Sequence, residues 1–337
     1  MASFSQFGND LYTGKRSYDI VGRRRTWYLI AIVAIVVSLA VPWLRGGYQL
    51  GIEFTGGSEF TISDVKSVDQ NLATNAVEDI VSDEIPRVSQ LGTHGIRVQT
   101  GQLTDRQTTD VQSALAKAYD VDESEVASTF IGATWGADVL AQAIRGLVIF
   151  LALAAVFMAL YFRTWKMSLS AMVALIHDLL ITAGVYGIVG LEVTPAAVIG
   201  FLTILGYSLY DTVVVFDKVR ENTGRETHRT FVQSVNLAVN QTLVRSINTS
   251  IVALLPVAAI LFIGSYILGA GTLRDISLAL FIGIIVGTYS TIFIASPMYA
   301  HLRENEPKIK QADAKKEAAN AKRRAEVGVP ADAAAEA

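Results

Sequence analysis

Residues 193–216, VTPAAVIGFLTILGYSLYDTVVVF, run for 24 positions with one charged side chain, Asp211, inside them. A spanning helix needs about 20 predominantly apolar residues, so this stretch reads as a membrane span that carries a carboxylate. Five further runs share its length and apolarity: Trp27 to Leu44, Val139 to Phe162, Met167 to Leu191, Val244 to Leu268 and Ile276 to Ala300. The first follows Arg23, Arg24 and Arg25 as a leader peptide does. It continues to Arg45 without a small-x-small cleavage site and is read as an anchor.

Composition agrees with six spans. The 337 residues are 51% hydrophobic with a mean hydropathy of +0.39, too apolar for a chain that faces only water. A net charge of -3 lacks the basic excess of a nucleic-acid binder, so no specific nucleic acid is expected. With no cysteine there is no disulfide, thiolate metal site or cysteine nucleophile. His94, His177, His228 and His301 fall in separate segments, and no metal site is expected.

Lys and Arg set the orientation. Lys15, Arg16, Arg23, Arg24 and Arg25 precede the first span, Arg163 and Lys166 follow the second, and Lys218, Arg220, Arg225 and Arg229 follow the fourth. All fall on one side, as does the basic tail after the sixth span, so both termini are expected to be cytoplasmic. The segment from Arg45 to Asp138, on the opposite side, holds 15 acids against 6 bases, and the remainder 16 acids against 22 bases.

The expected division is a cytoplasmic tail (1–26), the first span (27–44), an extracytoplasmic domain (45–138), spans two to six (139–300) and a basic low-complexity tail (301–337). Within the domain, Tyr48 to Ile62 alternates as a strand. Ser67 and Gln70 form a capping box before Leu72, Ala76, Val77 and Ile80. Arg87 to Leu91 and His94 to Thr100 flank a Gly-Thr-His-Gly turn, Thr104 caps a helix with Val111, Leu115 and Ala118, and Glu125 to Ile131 closes the sheet. The order βαββαβ predicts a small α+β ferredoxin-like domain between helices 1 and 2 of an α-helical polytopic membrane protein. The tail after Pro307 predicts a solvated helix or a disordered segment, either a solubilising tail or one held near anionic lipid or ribosomal RNA.

Any chemistry belongs to the polar groups at membrane depth, where a charge costs about 2.5 to 3.5 kcal/mol on insertion scales. They are His177 and Asp178 in the third span, Tyr207, Ser208, Tyr210 and Asp211 in the fourth, Arg245, Ser246, Asn248, Thr249 and Ser250 in the fifth, and Thr288 to Thr291 in the sixth. Gly283 and Gly287 permit close helix approach. Asp211 lies six residues before Asp217, roughly 9 Å deeper at 1.5 Å per residue, and Arg245 opens the outward-running fifth span. A pair between them is geometrically possible, and so is an Arg245 that only snorkels to the interface. Asp178 is either functional or a hydrogen bond between helices, and Asp217 reads as a solvated helix end.

These residues resemble a family. Gly51-Ile52-Glu53-Phe54-Thr55-Gly56-Gly57 is similar to the Gly-x-Asp-Phe-x-Gly-Gly signature of the SecD/SecF family, accessory subunits of bacterial protein export. The run from Gly206 to Asn222, with Asp211, Asp217, Arg220, Glu221 and Asn222, resembles the fourth-span motif of the SecF branch. Asn240 to Ser246 resembles its fifth-span motif, and His177-Asp178 its third. Glu53 stands where Asp is usual, Tyr210 where Asn often precedes the motif Asp, and Lys218 where Arg is common. The resemblance covers about Arg16 to Arg303.

It implies a six-span member of the resistance-nodulation-division superfamily in the bacterial inner membrane. Such a subunit pairs with a SecD-type partner as a pseudo-twofold unit on the SecYEG channel, acts after the motor SecA on exported unfolded polypeptide, and is embedded in membrane lipid. Motif by motif, the proton-carrying Asp and its Arg partner fall on Asp211 and Arg245, with His177, Asp178, Tyr207, Ser208 and Asn248 as supporting polar groups. Protons are the coupling ion, with no other cofactor and no covalent catalysis. A buried Asp facing an Arg favours the carboxylate and desolvation favours the acid, so small rearrangements load or release a proton. Each charge crossing about 100 mV yields roughly 2.3 kcal/mol, a bias of about fifty-fold. Two other readings stand beside this one: half of a small-molecule exporter of the same superfamily, and a passive scaffold for the channel.

Overall fold

The computed structural model describes residues 4–83, 85–225, 228–267 and 271–327. Among them six helices are long and apolar enough to cross a membrane: Arg24–Leu44, Ala133–Phe162, Trp165–Val189, Pro195–Gly224, Phe231–Gly264 and Leu273–Arg303. They are called the first to sixth spans. The chain is a multi-pass membrane protein.

The fourth span starts where Pro195 occupies the first turn and the Thr194 hydroxyl accepts the Ala197 N–H at 3.1 Å. It continues past Phe216 to Gly224. The fifth begins at Phe231, well before the expected Val244, because Thr230 and Gln233 form a capping box there and Val235, Ala238 and Val239 are buried. Hydropathy alone ends the fourth helix too early and starts the fifth too late: each has a polar surface over these turns and an apolar stripe beneath. The expected end of the fifth span, Leu268, lies outside the described residues. The fifth helix carries Pro256 and widens into a π-type stretch, Ile260–Ile267, and the sixth widens at Thr291–Ala295.

Both tails pack at the end of the bundle away from the α+β domain, here the termini side. A helix at Phe4–Thr13 lies along the fifth span, where the Gln241 side-chain amide donates to the Tyr12 carbonyl at 2.9 Å. The side-chain Oδ1 atoms of Asn240 and Asn236 accept the Tyr18 and Ile20 N–H groups at 2.7 and 3.0 Å. The segment Pro307–Val327 is helical, and it docks. Ile309 packs on the core that contains Phe162, Phe216, Phe231 and Tyr299, and the Asp313 carboxylate accepts the Phe231 N–H at 2.9 Å. Residues 328–337 of the expected tail lie outside the described residues.

The α+β domain follows the first span. Its elements are β1 (Gly57–Ile62), α1 (Gln70–Glu78), β2 (Arg87–Leu91), β3 (Gly95–Thr100), α2 (Asp105–Tyr119) and β4 (Val126–Ile131). The antiparallel sheet has the order β2-β3-β1-β4, with Phe60 opposite both Val98 and Ser128. Phe60, Ile62, Ile96, Val98, Val111 and Leu115 are fully buried between the sheet and its two helices. Thr104 caps α2 as the sequence predicts, and Gln107 completes a capping box with it.

Two local expectations are corrected. Asp69 rather than Ser67 caps α1, accepting the Asn71 N–H at 3.0 Å, because a carboxylate two residues closer reaches the free amide first. Tyr48 to Ile62 is not one strand. Gln49–Leu50 is a short strand, Ile52–Thr55 is a helical turn that buries Ile52 and Phe54, and β1 starts at Gly57. The break is backbone-driven: Gly56 has φ of 78° and Gly57 of 147°, and a Cβ at Gly56 would stand 2.7 Å from the Ala133 Cα.

Candidate functional site

Ser208, Asp211 and Thr212 have the i, i+3, i+4 spacing that places side chains on one stripe of a helix, and all three are buried in the fourth span. Each reaches a different neighbour. The Ser208 hydroxyl donates to Asp178 Oδ2 of the third span at 2.6 Å. Asp211 Oδ1 accepts from the Ser246 hydroxyl of the fifth at 2.9 Å. The hydroxyls of Thr212 and Thr291 are bonded at 2.9 Å, at the point where the sixth helix widens. Local π-type widenings frequently mark functional sites.

Asp178 is wholly buried, and His177 almost so. His177 Nδ1 lies 3.2 Å from Asp178 Oδ1, and its ring centroid is 6.1 Å from that of Tyr289. Close approach of the sixth span makes this possible. A Cβ on Gly287 would lie 3.1 Å from the Ser208 Cβ, and one on Gly283 would collide with Ile204. Tyr207 is half-buried, with its hydroxyl beside Ser250.

Asp211 is 6% exposed, and its Oδ2 has no hydrogen-bond partner among the described residues. Arg245 is exposed and forms no ion pair among them. It lines a recess of about 460 Å³ on the termini side, together with Tyr12, Val214, Asp217, Lys218, Glu221, Gln241 and Thr242. The two motif residues thus lie on adjacent helices without closing a pair. Asp217 is exposed and accepts from the Tyr161 hydroxyl at 2.9 Å. Lys218 bonds Glu221 at 2.9 Å, and the Asn222 side-chain amide donates to Gln241 Oε1 at 2.8 Å. Arg220 is exposed, and Asn248 and Tyr210 also face outward, Tyr210 at 58%.

Gly51, Glu53, Phe54, Gly56 and Gly57 sit apart from these groups, at the domain side. Gln49–Leu50 pairs in parallel with Glu192–Val193 just before the fourth span, and Arg87 of β2 bridges to Glu192 at 3.3 Å. One residue on, the Thr194 hydroxyl donates to Asp275 of the sixth span at 2.8 Å. Burial pushes the Glu53 carboxyl up, and its Oε2 has no partner among the described residues. Ser246, Thr212, Thr291 and the Thr194–Asp275 contact were not assigned a role from the sequence. The available signal was the run of small hydroxyl residues on the stripe of Asp211. Among the described residues no three His, Asp or Glu side chains are grouped as a metal site.

Residues 110–305 match the family model described as "Protein export membrane protein SecD/SecF, C-terminal". The protein translocase subunit SecF of Streptomyces coelicolor is 44% identical over 314 residues, which cover 92% of this chain and 83% of that protein. SecF of Mycobacterium tuberculosis is 41% identical over 315 residues, 88% of this chain and 70% of that one. The crystal structure of SecDF from Thermus, described as a translocon-associated membrane protein, superposes with a TM-score of 0.76 at 29% identity, over 86% of this chain and 39% of that one. With the ordered motifs on their expected helices, six spans and one α+β domain, the chain belongs to the SecD/SecF family of protein-export membrane proteins.

Proposed function

We propose that the chain is a SecF-type accessory subunit of the Sec protein translocase, using the proton-motive force with a SecD-type partner to assist late translocation through SecYEG after SecA. The observation that carries the coupling step is Asp211: a buried carboxylate in mid-bundle with one oxygen unpaired, above a polar recess that holds Arg245. A protonation change there alters the charge of the bundle core, where each charge is expensive. Asp211 and Arg245 are the relay, His177, Asp178, Tyr207, Ser208 and Asn248 support it, and protons are the only coupling species.

The fused relative supports the partner. The Thermus SecDF chain is matched over only 39% of its length, as expected of a protein that joins two such halves. In this chain Tyr210, Arg245 and Asn248 lie on the outward faces of the fourth and fifth spans, where a second subunit would cover polar groups that lipid tails cannot satisfy. The βαββαβ order and the β2-β3-β1-β4 sheet support a ferredoxin-like domain, and its acidic charge supports an extracytoplasmic place for it. Both termini then face the cytoplasm of a bacterial inner membrane.

The test is export of a secreted precursor into sealed inverted vesicles carrying this chain, its partner, SecYEG and SecA. With Asp211→Asn the response to an imposed proton gradient is expected to disappear. An unchanged response would make the chain a scaffold rather than a proton-driven subunit.

A further inference from the structure

On a helix running from the domain side to the termini side, Ser208 precedes Asp211 by three residues, roughly 4.5 Å at 1.5 Å per residue. Asp178, held by the Ser208 hydroxyl at 2.6 Å, therefore lies one turn nearer the α+β domain than Asp211. Beside it His177 Nε2 is buried without a partner among the described residues, and so is Thr182 Oγ1, one turn nearer the domain along the third span. Together with Asp211 Oδ2, these atoms form an ascending run of polar groups through an apolar bundle. A tie between two helices needs only the Ser208–Asp178 bond. It requires neither a second titratable ring nor three unpaired buried atoms, each of which is costly to leave unsatisfied. Polar, partner-seeking atoms in a row are what binds internal water.

We infer that Asp178, with His177, is a second proton-carrying station on the domain side of Asp211, and that the Ser208 hydroxyl passes the proton between the two carboxyl groups. This rests on the proton-driven reading above. The transfer balances: the Oδ2–H bond of protonated Asp178 breaks as Ser208 accepts that proton, and the original Ser208 proton passes, directly or through a water, to Asp211 Oδ2. Asp178 ends ionised, Asp211 neutral and Ser208 unchanged.

The titratable groups around Asp178 are few. His177 is on its own helix, Tyr289 faces His177 from the sixth span, and Asp211 and Tyr207 lie on the fourth. Arg145 of the second span is exposed, and Tyr28 of the first stacks on His301 at the other end of the bundle.

The test reconstitutes the full chain with its SecD-type partner in sealed vesicles containing a pH-sensitive dye, and records proton flux under an imposed potential as external pH is varied. Asp178→Asn is expected to lower the flux by about tenfold or more, as loss of a proton-transfer group does. Asp178→Glu is expected to restore flux with a displaced pH midpoint, which a purely structural residue would not do. Ser208→Ala, which keeps every charge and loses one hydroxyl, is expected to slow the flux at unchanged protein yield. If Asp178→Asn is poorly inserted, the Ser208→Ala rate and pH midpoint decide. Wild-type flux in Asp178→Asn or Ser208→Ala beside a dead Asp211→Asn would overturn the second station and leave the Asp211 relay standing. Wild-type flux in Asp211→Asn itself would overturn the underlying reading.

Discussion

Ser246 donates to Asp211 Oδ1 at 2.9 Å, whereas Arg245, its neighbour in the chain, points out of the bundle into the termini-side recess. Successive residues on a helix are turned by about 100°, so the fifth span offers Asp211 a hydroxyl from one position and a guanidinium from the next. On the proton-driven reading proposed above, a rotation of either helix would exchange them, and the carboxylate would gain or lose a charged partner.

Ser246→Ala leaves both Asp211 oxygens unpaired. A hydrogen bond to a charged group contributes about 1.5–3 kcal/mol, so proton-driven export is expected to fall about tenfold or more. Ser246→Thr, which keeps the hydroxyl, is expected to retain most of it. Export rates at fixed gradient check both.

Arg245→Ala is expected to stop the cycle, and the double variant with Asp211→Asn should be no worse than either single change if the two residues act as one unit, as the proposed relay requires. Arg245→Lys is expected to fall well below wild type, since an ammonium does not reproduce the planar fork of Arg. Full activity of Arg245→Lys would leave Asp211 as a lone carrier.

Glu53 gives a pH dependence with a defined sign. Burial raises its carboxyl above the usual value of 4.5, so the folded chain binds this proton more tightly than the unfolded one. Its contribution is fully favourable below about 4.5 and is lost as pH rises through the raised folded value. Glu53→Gln is expected to flatten that part of the stability curve and to hold its melting temperature better above it. Thermal unfolding in detergent across the pH range reads this directly.

Gly283→Val places side-chain atoms against Ile204, where the fourth and sixth spans meet. Overpacking of this kind costs about 1–3 kcal/mol, and the melting temperature should drop accordingly. Adding Ile204→Ala should recover part of the loss. A Gly283→Val protein as stable as wild type would show that the two helices can separate freely.

The spans, the order of elements in the α+β domain and the burial of Asp211 were legible because each rests on a strong local signal: uninterrupted apolar runs, strand and helix patterns between turns, and a lone charge at membrane depth. Helix ends were less so. Phe231–Leu243 reads as loop by hydropathy, yet Val235, Ala238 and Val239 are buried beneath a polar surface. The segment around Gly56 alternates like a strand, and only the backbone φ of its glycines breaks it. Ser246 is named among the polar groups of the fifth span, but that it rather than Arg245 meets Asp211 is set by the phase of the helix, which residue type does not show. Ile309 and Asp313 are isolated in a charged tail, and only the three-dimensional neighbourhood of Phe231 explains them.

Gln49–Leu50 and Glu192–Val193 are separated by two spans and an entire domain in the chain, yet they pair as parallel strands. Such a closure carries the entropy cost of a long loop and cannot form until the third span has been made and placed. The α+β sheet, whose contacts are local by comparison, needs no such wait. The contacts of the domain core therefore close shorter stretches of chain than the latch at its base, whose second strand, Glu192–Val193, follows two further spans.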